Sequence, residues 1–207
     1  MASNIINPVV KRSRRTNVDM SKYLLKHSPL KKGLSIKNED SPLAMYNKVG
    51  NQLFLGNYQA AKNSSFFEKK NITAVLNCTK DLPNYFRNDK KMEYMRIPVD
   101  DSLKKVDIDK MVKFFPVAVS FIHKMVVLEK RNILVHCFAG RQRSAIIVAC
   151  YLVVTKGLNP GEACKYVMEK RPEAFHYGLS LNFDKSLKTF DQNSSCILTK
   201  LLDINGK

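Results

Sequence analysis

One stretch constrains this chain more than any other: ILVHCFAGRQRSAIIVACYLV, residues 133–153. Three apolar residues, Ile133, Leu134 and Val135, read as a buried strand that ends at His136. Seven residues follow, from Cys137 to Arg143, and then an almost wholly apolar segment. That segment, Arg143 to Thr155, reads as a central helix because it has no polar face. A strand, a short loop and a helix in this order place Cys137 opposite the first turn of the helix. The unpaired N–H groups and the dipole there favour an anion. The Cys137 thiolate is one such anion, and its pKa is expected below the free value of about 8.5. A phosphate lying above it is the other. Ala139 and Gly140 allow the backbone to curl so that several N–H groups point inward as a nest. Arg143 adds a planar fork that holds two phosphate oxygens at once. Ser144 places a hydroxyl within reach of the thiolate.

The surrounding pattern is that of an α/β domain. Leu53 to Leu55 reads as a strand closed by a Gly56-Asn57 turn. Ile72 to Asn77 and Tyr94 to Val99 read as further strands. Between them and the Cys137 strand, Met111, Phe114, Phe115, Ala118, Phe121, Ile122 and Met125 share one helical face, with Asp107 or Asp109 as the cap. Gly157 stops the central helix, Pro160 opens another to Lys170, and a last helix is expected around Leu181 to Asp191. Strands alternating with helices predict a single domain with a mixed, mostly parallel sheet flanked by helices. The predicted division is a basic, flexible arm over 1–47 with one short helix near Met20 to His27, a domain over 48–192 and a tail over 193–207.

Composition narrows the function. The chain has 207 residues and a net charge of +17. Residues 1–50 carry +7 of it and the rest +10, so the basic character is not confined to the arm. An anionic partner is expected: a phosphoprotein, a nucleic acid or an anionic lipid. The longest apolar run, Ala145 to Val154, has ten residues, against about 20 for a bilayer span. In MASNIINPVVKRSRR the charges follow the apolar stretch, unlike a secretory signal, so a cytoplasmic or nuclear protein is expected. KRSRR, 11–15, is a candidate nuclear signal. The five cysteines include no CxxC pair, which argues against a disulfide framework or a zinc site. His27, His123 and His176 carry no motif.

HCFAGRQRS matches the HCxxGxxRS signature of the cysteine-based protein phosphatases and resembles their dual-specificity branch. NQLFLGNYQAA (51–61), ITAVLN (72–77), IPVDDS (97–102), FFPVAVSFI (114–122) and AIIVACYLV (145–153) follow in the order that branch uses. The resemblance spans roughly Tyr46 to Asp191. It implies a protein-tyrosine-phosphatase-like fold and hydrolysis of phosphotyrosine and phosphoserine or phosphothreonine through a phosphocysteine. Cys137 is then the nucleophile, Arg143 and Ser144 complete the catalytic set, and Phe138, Ala139, Gly140, Arg141 and Gln142 form the phosphate loop. The acid that protonates the leaving oxygen falls at Asp101, three residues after Pro98, with its neighbour Asp100 as the alternative. Asp101 precedes Cys137 by 36 residues, so the loop Leu103 to Lys113 reads as longer than the family's.

The same resemblance gives His136 a supporting role and makes Cys78 a candidate redox partner for Cys137. It implies no metal and no organic cofactor. Arg171 and Phe183 match the family in the segment before the last helix, whereas Ser186 stands where a Gln is usual and a Pro-Asn pair is absent. Arg141 and the net charge leave two further readings: a phosphatase of inositol lipids or RNA 5′-phosphates, and a non-catalytic phosphate-binding module. SKYLLKH followed by LFLGNY is similar to the start of the poxviral H1-type phosphatases, which implies a homodimer through the arm. Docking on a protein kinase substrate is the alternative use.

Overall fold

A computed structural model describes residues 44–205, apart from 101, 103, 177 and 180. The chain opens with two short strands, β1 (Tyr46–Lys48) and β2 (Leu53–Gly56), followed by two short helices, α1 (Tyr58–Ala61) and α2 (Ser64–Lys69). Then come β3 (Ile72–Asn77), β4 (Glu93–Arg96), α3 (Lys105–Val112), α4 (Phe115–His123) and a π-helical turn, Lys124–Leu128. β5 (Asn132–His136), α5 (Arg143–Lys156), α6 (Pro160–Lys170) and α7 (Leu181–Asn205) complete it. The sheet order is β1-β2-β5-β3-β4, antiparallel only between β1 and β2. The mixed, mostly parallel sheet expected from the sequence is therefore present.

Alternation along the strands sorts the two faces. Leu53, Leu55, Ala74, Leu76, Ile133 and Val135 pack under the larger helical layer. Phe54, Val75 and Leu134 pack with Ala60, Ala61, Phe66 and Phe67 of the small helices. Ile72 joins that second face although it is three residues from Val75. The register shift against β5 between Ile72 and Ala74 accounts for it, because a bulge inserts one residue without changing face. α5 is buried from Arg143 through Val154, as its apolar circumference requires.

Several sequence expectations need correction. The single helix read through Phe114 is two, bent by 45°. Pro116 lacks an N–H and its ring crowds the carbonyl four residues back, so the helix restarts at Phe115. Neither Asp107 nor Asp109 caps α3: Lys104 holds the cap position with no side-chain bond, and Asp107 lies in the first turn. The segment read as a long loop, 103–113, is mostly this helix. β4 ends at Arg96 because Pro98 offers no donor to the ladder. The boundary expected at 47/48 cuts through β1, and Ala44 is already buried. The expected tail from 193 is continuous with α7, which buries Ser194 and Leu201. The rest of the arm, with its helix near Met20 to His27 and KRSRR, lies outside the described residues.

Candidate active site

The site sits at the carboxyl ends of the parallel strands. Gly56, His136 and Asn77 lie side by side at the ends of β2, β5 and β3. Such ends form the usual crevice of a parallel sheet. β5 delivers Cys137 there, and the chain turns through residues 138–142 into α5. Cys137 is buried, at 2% exposure. Its sulfur accepts a hydrogen bond from the Gly140 N–H at 3.1 Å and another from the Ser144 hydroxyl at 3.3 Å. Both donors stabilise a thiolate more than a thiol, since charge strengthens a hydrogen bond about twofold.

Gly140 makes the turn. Its φ is +68°, and a Cβ there would stand 2.5 Å from the Gly56 carbonyl oxygen. The loop therefore lies directly against the end of β2, a closeness only glycine permits.

Arg143 is buried at the first position of α5, and its Nη1 donates to the Val99 carbonyl at 3.0 Å. That bond ties the phosphate loop to the IPVDDS segment. Asp101 lies outside the described residues. Asp100 is half exposed and pairs with Lys80 at 3.7 Å.

His136 is enclosed, and its ring Nδ1 lies 3.4 Å from the Cys137 carbonyl oxygen. Burial, with smaller pushes from the Arg96 and Arg143 charges, brings its pKa down to about 4, so it is neutral at physiological pH. Cys78 follows Asn77 as Cys137 follows His136, on adjacent parallel strands. Its N–H donates to the His136 carbonyl at 2.8 Å. Burial raises its thiol well above the usual range, the Cys137 charge pushes the same way, and Arg143 opposes both.

The support beneath the loop was not legible beyond the match at Arg171. This side chain is fully buried. Its Nε donates to the Gly140 carbonyl at 2.9 Å and its Nη2 to the Ala139 carbonyl at 3.4 Å. Nη1 reaches the Ala44 carbonyl at 3.1 Å and Asn47 Oδ1 at 2.7 Å, while Glu173 neutralises the head at 2.6 Å. The following segment adds two ties: Phe175 N–H to the Arg141 carbonyl at 2.9 Å, and Gln142 Nε2 to the Gly178 carbonyl at 2.7 Å. Phe138, by contrast, faces outward at 54% exposure, stacked on Tyr58.

This arrangement suits an anion held over the Cys137 sulfur. The family model "Dual specificity phosphatase, catalytic domain" matches residues 53–193. Dual specificity protein phosphatase Mpk3 of Drosophila melanogaster is 35% identical over 144 residues, covering 66% of this chain and 33% of the relative. Human dual specificity protein phosphatase 9 is 30% identical over 146 residues, covering 69% and 37%. The chain thus matches about a third of the length of these curated relatives. The crystal structure of DUSP15 superposes with a TM-score of 0.67 at 29% identity, covering 76% of this chain and 95% of that one. Together, the fold and the matched catalytic-domain signature define a cysteine-based phosphatase domain. The chain belongs to the dual specificity phosphatase family.

Proposed function

We propose that this chain hydrolyses phosphotyrosine and phosphoserine or phosphothreonine in proteins. The observation that carries the reading is the Cys137 sulfur, held by the Gly140 N–H and the Ser144 hydroxyl at the start of α5, the helix that Arg143 opens. The thiolate attacks phosphorus in line, forming a P–S bond as the P–O bond to the substrate breaks. Backbone N–H groups of the 138–142 loop, other than that of Gly140, and the Arg143 guanidinium neutralise the equatorial oxygens. Asp101 gives its proton to the leaving oxygen. In the second step Asp101 takes a proton from water, whose oxygen attacks phosphorus. The P–S bond breaks, inorganic phosphate leaves and the thiolate returns, stabilised by Ser144. The pairing of Asp100 with Lys80 supports Asp101 as the acid, since it engages Asp100 elsewhere. His136 stays neutral and braces the loop.

Arg141 and the net charge of +17 favour a second reading, hydrolysis of an inositol lipid or an RNA 5′-phosphate. The family relatives named as protein phosphatases favour the first. Hydrolysis of a doubly phosphorylated Thr/Tyr peptide, in EDTA, beside inositol lipids and 5′-triphosphate RNA decides between them. Loss of both peptide phosphates, abolished by Cys137→Ser, supports the protein reading. Peptide inactivity with lipid or RNA turnover replaces it, and no turnover at all leaves a phosphate-binding module.

For partners, the reading takes a phosphorylated protein kinase as substrate and assigns the basic arm to a homodimer. A monomeric mass in solution, unchanged when residues 1–43 are deleted, removes the dimer. Among the described residues no single helix is long and apolar enough to cross a membrane. Residence in the cytoplasm or nucleus, with KRSRR as the nuclear signal, belongs to the same reading. Loss of nuclear signal after replacing these basic residues would support it.

A further inference from the structure

The large apolar side chains that stand exposed among the described residues are Val106, Val117, Leu128 and Phe138. The first three lie on α3, on α4 and at the end of the π-helical turn. Phe138 alone lies in the phosphate loop, next to the nucleophile. The loop needs the backbone of this position for its anion nest; a phenyl ring contributes no donor to a phosphate.

The ring is nevertheless held in place. Its plane lies 16° from that of Tyr58, with centroids 5.0 Å apart. The Tyr58 N–H donates to the Phe138 carbonyl at 3.0 Å. Tyr58 is itself the first residue of α1, whose cap Asn57 accepts from Gln59 N–H and Ala60 N–H. Lys62 Nζ lies 5.1 Å from the Tyr58 ring centroid. A preset aromatic surface loses little side-chain entropy when something settles on it.

We infer that Phe138, backed by Tyr58, receives a large apolar side chain next to the phosphorylated residue of the substrate. The inference rests on the protein-phosphatase reading and adds a selection rule to it. The geometry supplies the occupant. Cys137 is buried, so a phosphorylated side chain must reach down to it while the neighbouring residues of its chain cross the rim that carries Phe138. An apolar neighbour laid on the ring removes apolar surface of both partners from water, and an aromatic one adds a ring–ring contact.

The test compares two phosphotyrosine peptides that differ only in one neighbour of the phosphotyrosine, Leu in one and Asn in the other. Each is assayed with wild type, Phe138→Ser, Phe138→Leu and Tyr58→Ala, beside para-nitrophenyl phosphate as a substrate with no neighbours. The readout is the ratio of kcat/KM for the two peptides within each variant, so a general loss of phosphate chemistry cancels. Wild type should prefer the Leu peptide about tenfold, mostly through KM. Phe138→Ser should bring the ratio close to one, Phe138→Leu should restore most of it, and Tyr58→Ala should lower it. A wild-type ratio near one, or a preference that survives Phe138→Ser, overturns the inference. Overturned too is a ring whose loss spares the peptide ratio but lowers turnover of phosphoinositide vesicles. If para-nitrophenyl phosphate is hydrolysed and neither peptide is, the protein-substrate reading falls and the inference with it.

Discussion

The Arg171 guanidinium donates from Nε to the Gly140 carbonyl at 2.9 Å, across 31 positions of sequence. This bond joins the end of α6 to the point where the phosphate loop turns. The Gly140 N–H is meanwhile committed to the Cys137 sulfur. One peptide unit away from that N–H, Arg171 thus fixes the position of the group that donates to the Cys137 sulfur.

Arg171→Met should therefore damage both folding and turnover. It removes five donor contacts and leaves Glu173 partly buried without its cation. Breaking a buried pair of this kind costs about 3–5 kcal/mol. Urea unfolding should show that loss, and turnover measured well below the unfolding midpoint should fall at least about tenfold. Arg171→Lys should recover stability only in part, because an ammonium cannot fork between the Gly140 carbonyl and Asn47.

Gly140→Ala should be more severe for activity than its size suggests. The new Cβ would stand 2.5 Å from the Gly56 oxygen at a φ of +68°. The left-handed backbone alone costs about 1–2 kcal/mol, and relief of the clash must lift the loop from β2. Turnover should drop below detection while circular dichroism retains the α/β signature. A variant with near-normal turnover would show that the loop does not need this approach.

Arg143→Lys separates charge from shape. Lys keeps a cation but loses the fork and the bond to the Val99 carbonyl. The expected loss in kcat is about 10²–10³, with a smaller change in KM. Steady-state kinetics on a phosphotyrosine peptide reads both.

His136 should make stability fall in acid. Its folded pKa, about 4, lies below the ordinary histidine value of 6.5, chiefly through burial. Below 6.5 the unfolded chain takes up the proton and the folded chain does not. Its contribution is thus fully present above the unfolded value and is lost as pH falls from about 6.5 through 4, by about 3 kcal/mol at most. In urea unfolding across that range, His136→Asn should show a shallower loss than wild type. Equal slopes would mean that His136 is not the group responsible.

Cys78 is proposed as a redox partner of Cys137, on the strength of their neighbouring positions after β3 and β5. Peroxide oxidises the Cys137 thiolate to a sulfenic acid and is itself reduced to water. The Cys78 sulfur then attacks, a second water leaves and a disulfide forms. The raised Cys78 pKa makes the second step slow near neutral pH and faster as pH rises. Peptide mapping after mild peroxide should find the linkage, and thioredoxin should restore activity. Irreversible loss of activity without the linkage would remove the idea.

What the sequence revealed and what it hid follow one physical division. α5 and the loop before it were legible because each position is chemically restricted. The run Ala145 to Val154 admits only a buried helix, and the turn needs Gly140. Pro160 opening α6 and Gly157 ending α5 were legible for the same reason, as backbone constraints carried by single residues. α1 and α2, of four and six residues, are too short to show a period, and their signals were the caps Asn57 and Asn63. The break before Pro116 was hidden by an apolar face that continues across it. The Arg171 clamp was hidden because its partners are mostly backbone carbonyls and Asn47, which come together only once the sheet has formed. β1 was hidden likewise: three residues become a strand only by pairing with β2.

The proposed reaction runs through a covalent phosphocysteine at Cys137. The most direct measurement is rapid denaturation of the full chain during turnover of a phosphotyrosine peptide, followed by mapping of the phosphorylated residue. With para-nitrophenyl phosphate, whose leaving group departs without a proton, Asp101→Asn should increase the trapped fraction by slowing attack of water. Phosphate on Cys137, absent in Cys137→Ser, is the expected result. Turnover that persists in Cys137→Ser, or phosphate carried by another residue, would contradict the account.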